Sequence, residues 1–273
     1  MIDAKLQAEL RAKFNPDGSP LRQLQLRQLE ILKYVDAFCK KNDITYWLSS
    51  GTCLGAVRHG GFIPWDDDID IEMLRKDYLR FLKLWKDTGN YTIQNRHNEK
   101  YFIFSFSKIR ESNTYFEEDG VARHYMKQGI FIDIFCMERF MKFPALVGDF
   151  FLRRIGNLIR IPNPTRLRRV LFVIGKKCLF ACGAILRPIM RCIPMSNGSI
   201  RHAFGSCNAR NTRYLHEIFP LRSISFEGVS LPVPGNYHSY LTHMFGNYNK
   251  IPDIDSPQFH THAKSFSLSK AQV

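Results

Sequence analysis

Five acidic residues lie close together between Leu48 and Met73, downstream of a turn of small residues, Gly51-Thr52. The acids are Asp66, Asp67, Asp68, Asp70 and Glu72. Like charges at such spacing repel one another, and each resists burial. A divalent metal ion is the usual counter-charge, and a metal beside backbone N–H groups that cradle an anion suits chemistry on phosphate.

The alternation of acids with isoleucines predicts a strand with one buried face. Ile69 and Ile71 alternate with Asp68 and Asp70, which is the period of a half-buried strand. Both acids then share a face, roughly 6–7 Å apart at Cα, where two carboxylates can share Mg²⁺. The alternative is an exposed acidic turn without metal, but such a turn has no need for isoleucines between its charges.

A third carboxylate lies in another apolar run, Gly129–Phe135, whose only charge is Asp133. An acid buried in such a strand is costly unless it is paired or ligates metal. Metal ligation and a salt bridge to an arginine are the two alternatives. Asp67 has the parity of a capping or turn residue, and the role of Asp66 is ambiguous.

The segment before the acids predicts a phosphate cradle. Ile44–Leu48 is a candidate strand, and a short helix follows the Gly51-Thr52 turn. Small residues let backbone N–H groups approach a phosphate, and Thr52 adds a hydroxyl. Taken alone this turn could equally be a helix cap.

Three basic residues are candidates for binding phosphate. Arg58 follows the short helix, and its planar fork suits bidentate contacts. Lys108 and Arg110 end a predicted strand over Tyr101–Arg110, where ordinary surface charge is the alternative. His59 has the chemistry of a general base, but Gly60-Gly61 after it suggests a loop.

Further elements can be predicted from periodicity. An apolar stripe from Leu21 to Cys39 predicts a helix over the first strand, and Arg75–Trp85 predicts a second. Tyr91–Gln94 predicts another strand.

Three segments resemble the LicD family, whose animal relatives include fukutin and fukutin-related protein. They are SGTCLGAVRHGGFIPWDDDIDIEM (Ser50 to Met73), KIRESNT (Lys108 to Thr114) and GIFIDIF (Gly129 to Phe135). The first motif is long and specific, and FGNYNKIP (Phe245 to Pro252) is a weaker match. Two positions depart from the family pattern: Cys136-Met137-Glu138 follows the third acid, and Thr261 separates His260 from His262.

The resemblance implies an α/β (α+β) fold of the nucleotidyltransferase type, with a mixed sheet flanked by helices. It also implies one metal site, for Mg²⁺ or Mn²⁺, built from Gly51-Thr52, Asp68, Asp70 and Asp133. Such enzymes transfer phosphocholine or a polyol phosphate from a CDP-linked donor to a hydroxyl of a cell-surface glycan or glycolipid. Arg58, Lys108 and Arg110 would then contact the donor phosphates.

Two other functions stay open from the sequence. One is transfer of the nucleotide itself to a small molecule. The other is a non-catalytic protein that binds anionic surfaces on the same fold.

The net charge of +14 over 273 residues is concentrated in one segment. Between Phe140 and Met195 there are eleven basic residues and one acid, Asp149. Apolar and basic groups alternate there, and no run reaches the roughly 18 uncharged residues that would span a bilayer. We predict a basic amphipathic helical hairpin on an anionic membrane surface; a solvated insertion is the alternative. No nucleic-acid-binding motif accompanies the charge.

These features predict a core over residues 1–139, a basic insertion over 140–195, and a C-terminal part over 196–273 that completes the domain. The N-terminus has no apolar core of signal-peptide length, and the seven cysteines include no CxxC pair. We therefore expect free thiols and a cytoplasmic protein, peripheral on the inner face of the cell membrane.

Overall fold

A computed structural model of the chain describes residues 2–193, 198–206, 211–253 and 265–269. The helices are α1 Ala4–Phe14, α2 Pro20–Lys41, α3 Ser50–His59, α4 Arg75–Leu84, α5 Lys142–Asn157, α6 Arg166–Cys192, α7 Leu215–Ile218 and α8 Tyr237–Phe245, with a 3-10 helix at Gly120–His124. The strands are β1 Trp47–Leu48, β2 Asp70–Leu74, β3 Tyr91–Gln94, β4 Ser107–Glu111, β5 Tyr115–Phe116, β6 Phe131–Glu138, β7 Ser199–His202, β8 Arg213–Tyr214, β9 Arg222–Phe226, β10 Val229–Val233 and β11 Phe266–Ser267.

A mixed sheet flanked by helices forms the centre, which confirms the predicted fold class. Its strand order is β1-β2-β6-β4-β3, and β7 and β8 extend it from the far end of β6. The strands β2 and β6 are parallel, whereas β4 runs antiparallel to β6. The sheet therefore brings the two predicted acidic strands side by side.

Helix α2 covers the sheet, as its apolar stripe predicts. It begins at the N-cap Ser19, whose hydroxyl accepts a hydrogen bond from Arg22 N, and Pro20 occupies the first turn. Leu24, Ile31 and Val35 are fully buried in the main apolar core. The exposed side of α2 carries Glu30, Lys33 and Lys40 together with Leu26 and Tyr34.

The prediction of one strand over Tyr101–Arg110 is wrong for residues 101–106, since the strand begins only at Ser107. Phe102 and Ile103 are adjacent, yet both are buried, in two different apolar clusters. The backbone of this segment bonds outside the sheet instead: Phe102 N donates to the Glu99 carbonyl at 3.2 Å, and Ser105 N donates to the Gly205 carbonyl at 3.0 Å.

The basic segment forms the predicted pair of packed helices, α5 and α6. Their shared core includes Phe140, Leu152 and Phe172, and Phe204 packs into it beside β7. No helix in the described part of the chain is long and apolar enough to cross a membrane. The six cysteines within the described ranges are free thiols, as expected. His260 and His262 lie outside the described residues.

Candidate functional site

Two of the predicted acids are direct neighbours in the sheet. Asp70 opens β2, and its register partner on the parallel strand β6 is Asp133. The amide of Asp70 donates to the Thr52 hydroxyl at 2.8 Å, and the amide of Asp133 donates to the Ile69 carbonyl at 2.9 Å. Backbone pairing thus fixes both carboxylates next to the first turn of α3.

An acid closely approaches the backbone of Gly51. A Cβ on Gly51 would lie 2.9 Å from Asp66 Oδ2, so a larger residue there would displace that carboxylate. Asp66 therefore belongs to the acidic site, although its role was ambiguous from sequence. Its place directly before Asp67 and Asp68 was the available signal.

The acids of the site hold protons more tightly than ordinary carboxyls. Burial raises the pKa of Asp66, and the charges of Asp68 and Asp67 raise it further. Burial, Asp68 and Asp133 likewise raise the pKa of Asp70. The pKa of Asp133 is raised by burial, against the opposing effect of Lys108. The site therefore has a deficit of positive charge.

Lys108 is the cation that meets this cluster. Its Nζ lies 3.2 Å from Asp133 Oδ1 and 3.0 Å from Glu118 Oε1, and 3.2 Å from the centre of the Phe131 ring. An arginine was one expected partner for Asp133, but the partner is a lysine. Glu118 was not predicted, because nothing in the sequence distinguishes it from other acids. Burial opposes ionisation of Glu118, yet Lys108 and Arg110 lower its pKa below the ordinary value.

The two predicted arginines are occupied by contacts within the protein. Arg110 is almost fully buried; it forms an ion pair with Glu118 and donates to the Gly129 carbonyl at 2.7 Å. Arg58 Nη1 donates to the Tyr248 carbonyl at 2.8 Å. Burial lowers the pKa of Arg58 to about 10, although Asp66 opposes the shift. Contact of either arginine with phosphate stays a prediction.

His59 has no free lone pair for general-base chemistry. It lies in the last turn of α3, not in a loop. Arg58 Nε donates to His59 Nε2 at 2.8 Å, so Nδ1 is the protonated nitrogen and donates to Gln7 Oε1 at 2.6 Å. Burial and Arg58 lower the pKa of His59 to about 3. The ring links α3 to α1.

Glu72 belongs to a separate buried network, although it shares the acidic stretch. It contacts Arg213 Nη2 at 3.2 Å and His202 Nε2 at 3.1 Å, and Trp47 Nε1 donates to it at 2.9 Å. Although burial opposes ionisation, Arg213 and His202 lower the pKa of Glu72. The network joins β2 to the C-terminal part of the chain.

An open cavity of about 440 Å³ borders the acids. Asp67, Asp68, Asp133 and Lys108 line one side of it. Aromatic rings form much of the remaining wall, from Phe104, Phe106, Phe116, Tyr125 and Phe131. Tyr125 is 4% exposed, and its hydroxyl has no hydrogen-bond partner among the described residues. The cavity therefore combines oxygen ligands, an ammonium group and aromatic faces.

The metal prediction fits part of this arrangement. Among the described residues, no three His, Cys, Asp or Glu side chains form a group that could hold a metal ion. Asp70 and Asp133 are nevertheless paired in register, and repulsion raises the pKa of Asp70. Protein sites for Mg²⁺ commonly use one or two carboxylates together with substrate phosphates. The residues fit a cation that is completed by a phosphate ligand, and its presence stays a prediction.

Comparison with known proteins matches the same part of the chain. Residues 43–145 match the family described as LicD/FKTN/FKRP, nucleotidyltransferase domain. This range includes the Gly51-Thr52 turn and the acids on β2 and β6. This part of the chain therefore carries a LicD-family domain. The resemblance seen in its motifs is thereby confirmed.

Relatives extend this result beyond the matched domain. The lipopolysaccharide cholinephosphotransferase LicD of Haemophilus influenzae is 29% identical over 271 residues, which cover 91% of this chain and 98% of that protein. The human ribitol 5-phosphate transferase FKRP is 42% identical over 48 residues, 18% of this chain and 10% of that protein. The human ribitol-5-phosphate transferase FKTN is 36% identical over 61 residues, 22% of this chain and 13% of that protein. The likeness to the bacterial protein therefore covers nearly the whole chain, and the likeness to the animal proteins is local.

We predict that Asp70→Asn stabilises the metal-free protein at neutral pH. The folded-state pKa of Asp70 lies above the unfolded value of about 3.9, so ionisation opposes folding. This cost is absent below about pH 4, grows as the pH rises from the unfolded-state pKa to the folded-state pKa, and is constant above that. At neutral pH the variant should melt several degrees higher, since about 1 kcal/mol corresponds to roughly 2–4 °C for a chain of this size.

The difference in melting temperature between Asp70→Asn and the unmodified protein is measured by thermal melts in chelator, at neutral and at acidic pH. Asp17→Asn is the matched control, because the Asp17 side chain is 95% exposed. An equal gap at both pH values, or a less stable Asp70→Asn at neutral pH, would contradict the charge-repulsion account.

Proposed function

We propose that this protein is a LicD-type phosphotransferase that moves phosphocholine from a CDP-linked donor to a hydroxyl of a lipopolysaccharide-type or related cell-surface glycan. The relative that matches nearly the whole chain is named a lipopolysaccharide cholinephosphotransferase. Transfer of a phosphorylated head group is also what the names of the local animal relatives describe.

One observation carries the proposal. Asp70 and Asp133 are paired across parallel strands, and the Thr52 hydroxyl of the small-residue turn accepts from the Asp70 amide. This pairing supports a site in which carboxylates and a phosphate share one divalent cation, Mg²⁺ or Mn²⁺. When bound, that cation would neutralise the donor diphosphate as negative charge develops on the leaving CMP.

The residues of the chain would hold the donor and move one proton. Asp68, Asp70 and Asp133 would hold the cation, and the start of α3 at Gly51 and Thr52 would receive a phosphate through backbone N–H groups. Lys108 would contact the donor as a second positive charge. The acceptor oxygen attacks the phosphorus of the head group, the diphosphate P–O bond breaks, and CMP leaves. Asp133, whose pKa is raised, is suited to take the acceptor proton.

The cavity walls favour a choline head group over a polyol. A quaternary ammonium donates no hydrogen bonds and is recognised by aromatic faces and carboxylates. The cavity offers five aromatic rings together with Glu117, Glu118 and Asp119. Lys108 and Arg160 also line it, so the assignment to choline rests on the rings and the acids. The cytoplasmic location of the protein stays part of this proposal.

Asp133→Asn and Asp70→Asn should each lose at least about 100-fold in turnover with CDP-choline and a glycan acceptor, as expected for a ligand or base. The assay should follow both possible products, because phosphocholine transfer releases CMP whereas nucleotidyl transfer releases phosphocholine. Asp17→Asn serves again as the control. Near-normal turnover of either variant at saturating Mg²⁺, or release of phosphocholine, would refute the proposal.

The head-group assignment has its own test in Phe104→Leu. Phe104 lines the cavity and stacks on Phe106 at 5.0 Å between ring centres. Leucine keeps apolar bulk but removes the aromatic face, so the KM for CDP-choline should rise by about 3- to 30-fold. Turnover with CDP-ribitol should change little. Phe143→Leu, on an exposed ring of α5, is the control. An equal effect on both donors would contradict a choline-specific wall.

A further inference from the structure

The outer face of the hairpin formed by α5 and α6 is unusually apolar. Twelve of the twenty-one large apolar side chains that are exposed among the described residues lie between Met141 and Ile189. Scattered exposed apolar residues need no explanation, but a concentration of this kind marks an interaction surface.

Helix α6 exposes a continuous apolar stripe along its length. Its members recur every three or four residues, which places them on one side of a helix. All are exposed: Leu167, Leu171, Ile174, Cys178, Cys182, Ile185 and Ile189. The buried side chains of the same helix, such as Phe172 and Leu179, face the hairpin core. The exposed apolar side chains of the stripe therefore do not contribute to the hairpin core.

A groove of about 530 Å³ runs between the two helices beside this stripe. Its lining is apolar, with Phe143, Val147 and Phe151 from α5 and Cys178, Cys182 and Leu186 from α6. Gly175 lets the helices approach, since a Cβ there would lie 3.0 Å from Ile155 Cγ1. No hydrogen-bonding ligand is favoured by such a lining, whereas a hydrocarbon chain is.

The charges around the groove select the occupant. The single acid of the segment, Asp149, is buried and lies 3.4 Å from Arg153. The exposed charged residues between 140 and 190 are all basic: Lys142, Arg153, Arg154, Arg160, Arg166, Arg168, Arg169 and Lys177. An apolar face on a segment whose exposed charges are all positive complements a surface of anionic head groups over acyl chains.

We propose that the hairpin is a membrane-docking surface, and that its groove takes an acyl chain of an anionic phospholipid in a bilayer. The stripe on α6 lies at the level of the upper acyl chains, and the surrounding lysines and arginines contact the lipid phosphates. The basic residues bring the protein to the membrane, and the groove retains it there.

Docking of the hairpin would also place the candidate site near the bilayer. Arg160, between α5 and α6, lines the cavity beside the acids. His124 Nε2 lies 2.7 Å from the Ile159 carbonyl, which fixes this connection against the 3-10 helix. If the proposed function is correct, a glycan acceptor built on a lipid would be presented to the cavity. Binding to vesicles does not depend on the proposed activity, so the docking surface can be tested even if that activity is absent.

Flotation with phosphatidylcholine vesicles that contain phosphatidylglycerol tests the docking. The protein should float with these vesicles and not with phosphatidylcholine alone. Binding should weaken with salt but persist in part at about 0.5 M, where the Debye length is short and the apolar contribution remains. Absence of binding at low salt, or equal binding to both vesicles, would overturn the proposal.

Arg166→Glu with Arg168→Glu should lower the partition coefficient at least about tenfold. Acids in the first turn of α6 suit the helix dipole, so the fold should tolerate them. Lys76→Glu with Lys86→Glu, on exposed residues outside the hairpin, makes the same charge change and should bind as the unmodified protein does. Equal losses in both double variants would overturn a specific role for the hairpin.

The groove itself is tested with Phe151→Trp and lipids brominated on their acyl chains. Fluorescence of this tryptophan should be quenched on anionic vesicles, whereas Leu79→Trp on α4 should be unaffected. Equal quenching at positions 151 and 79, or no quenching at position 151, would place the acyl chains outside the groove and overturn the proposal. Self-association through this face, seen by ultracentrifugation without lipid and abolished by Phe151→Glu, would assign the groove to a second copy and overturn the lipid proposal.

Discussion

Repulsion among acids at the edge of a parallel strand pair is the constraint around which this molecule is arranged. Asp70 and Asp133 are held side by side by backbone pairing, and Asp66 approaches the start of α3 from the other side. The backbone contacts that hold them cannot relax this repulsion. Burial raises the pKa of all three groups, and neighbouring carboxylates raise each of them further. A protein keeps such an arrangement when a cation or a reaction needs it.

The charges nearby offset this cost only in part. Lys108 meets Asp133 but is shared with Glu118, and Arg110 is also paired with Glu118. Arg58 acts on Asp66 from a distance while its guanidinium bonds the Tyr248 carbonyl. Each cation is thus committed elsewhere. The remaining deficit is what a divalent cation would fill, and that cation would in turn bind the donor diphosphate. The aromatic cavity next to it leaves room for the group that is transferred.

Residues with a strong periodic signal could be placed from sequence. The alternation around Ile69 and Ile71 predicts the strand that carries Asp70, and the apolar run with one acid predicts β6 and Asp133. The same prediction is wrong for Asp68, which lies before the first residue of β2. Two kinds of feature could not be predicted. Residues 101–106 alternate as a strand would, yet their backbone bonds to Glu99 and Gly205 rather than to a neighbouring strand, which no period encodes. The roles of Asp66, Glu118 and Arg58 depend on partners distant in sequence, and a single chain gives no measure of such distances.

The most direct test of the account is calorimetric titration of Mg²⁺ into the protein with and without CDP-choline. The account predicts weak binding to the free protein, because two carboxylates alone make an incomplete site, and much tighter binding when the donor diphosphate is present. Asp70→Asn should abolish this gain. If the affinity for Mg²⁺ is the same with and without CDP-choline, the account of a shared site is contradicted.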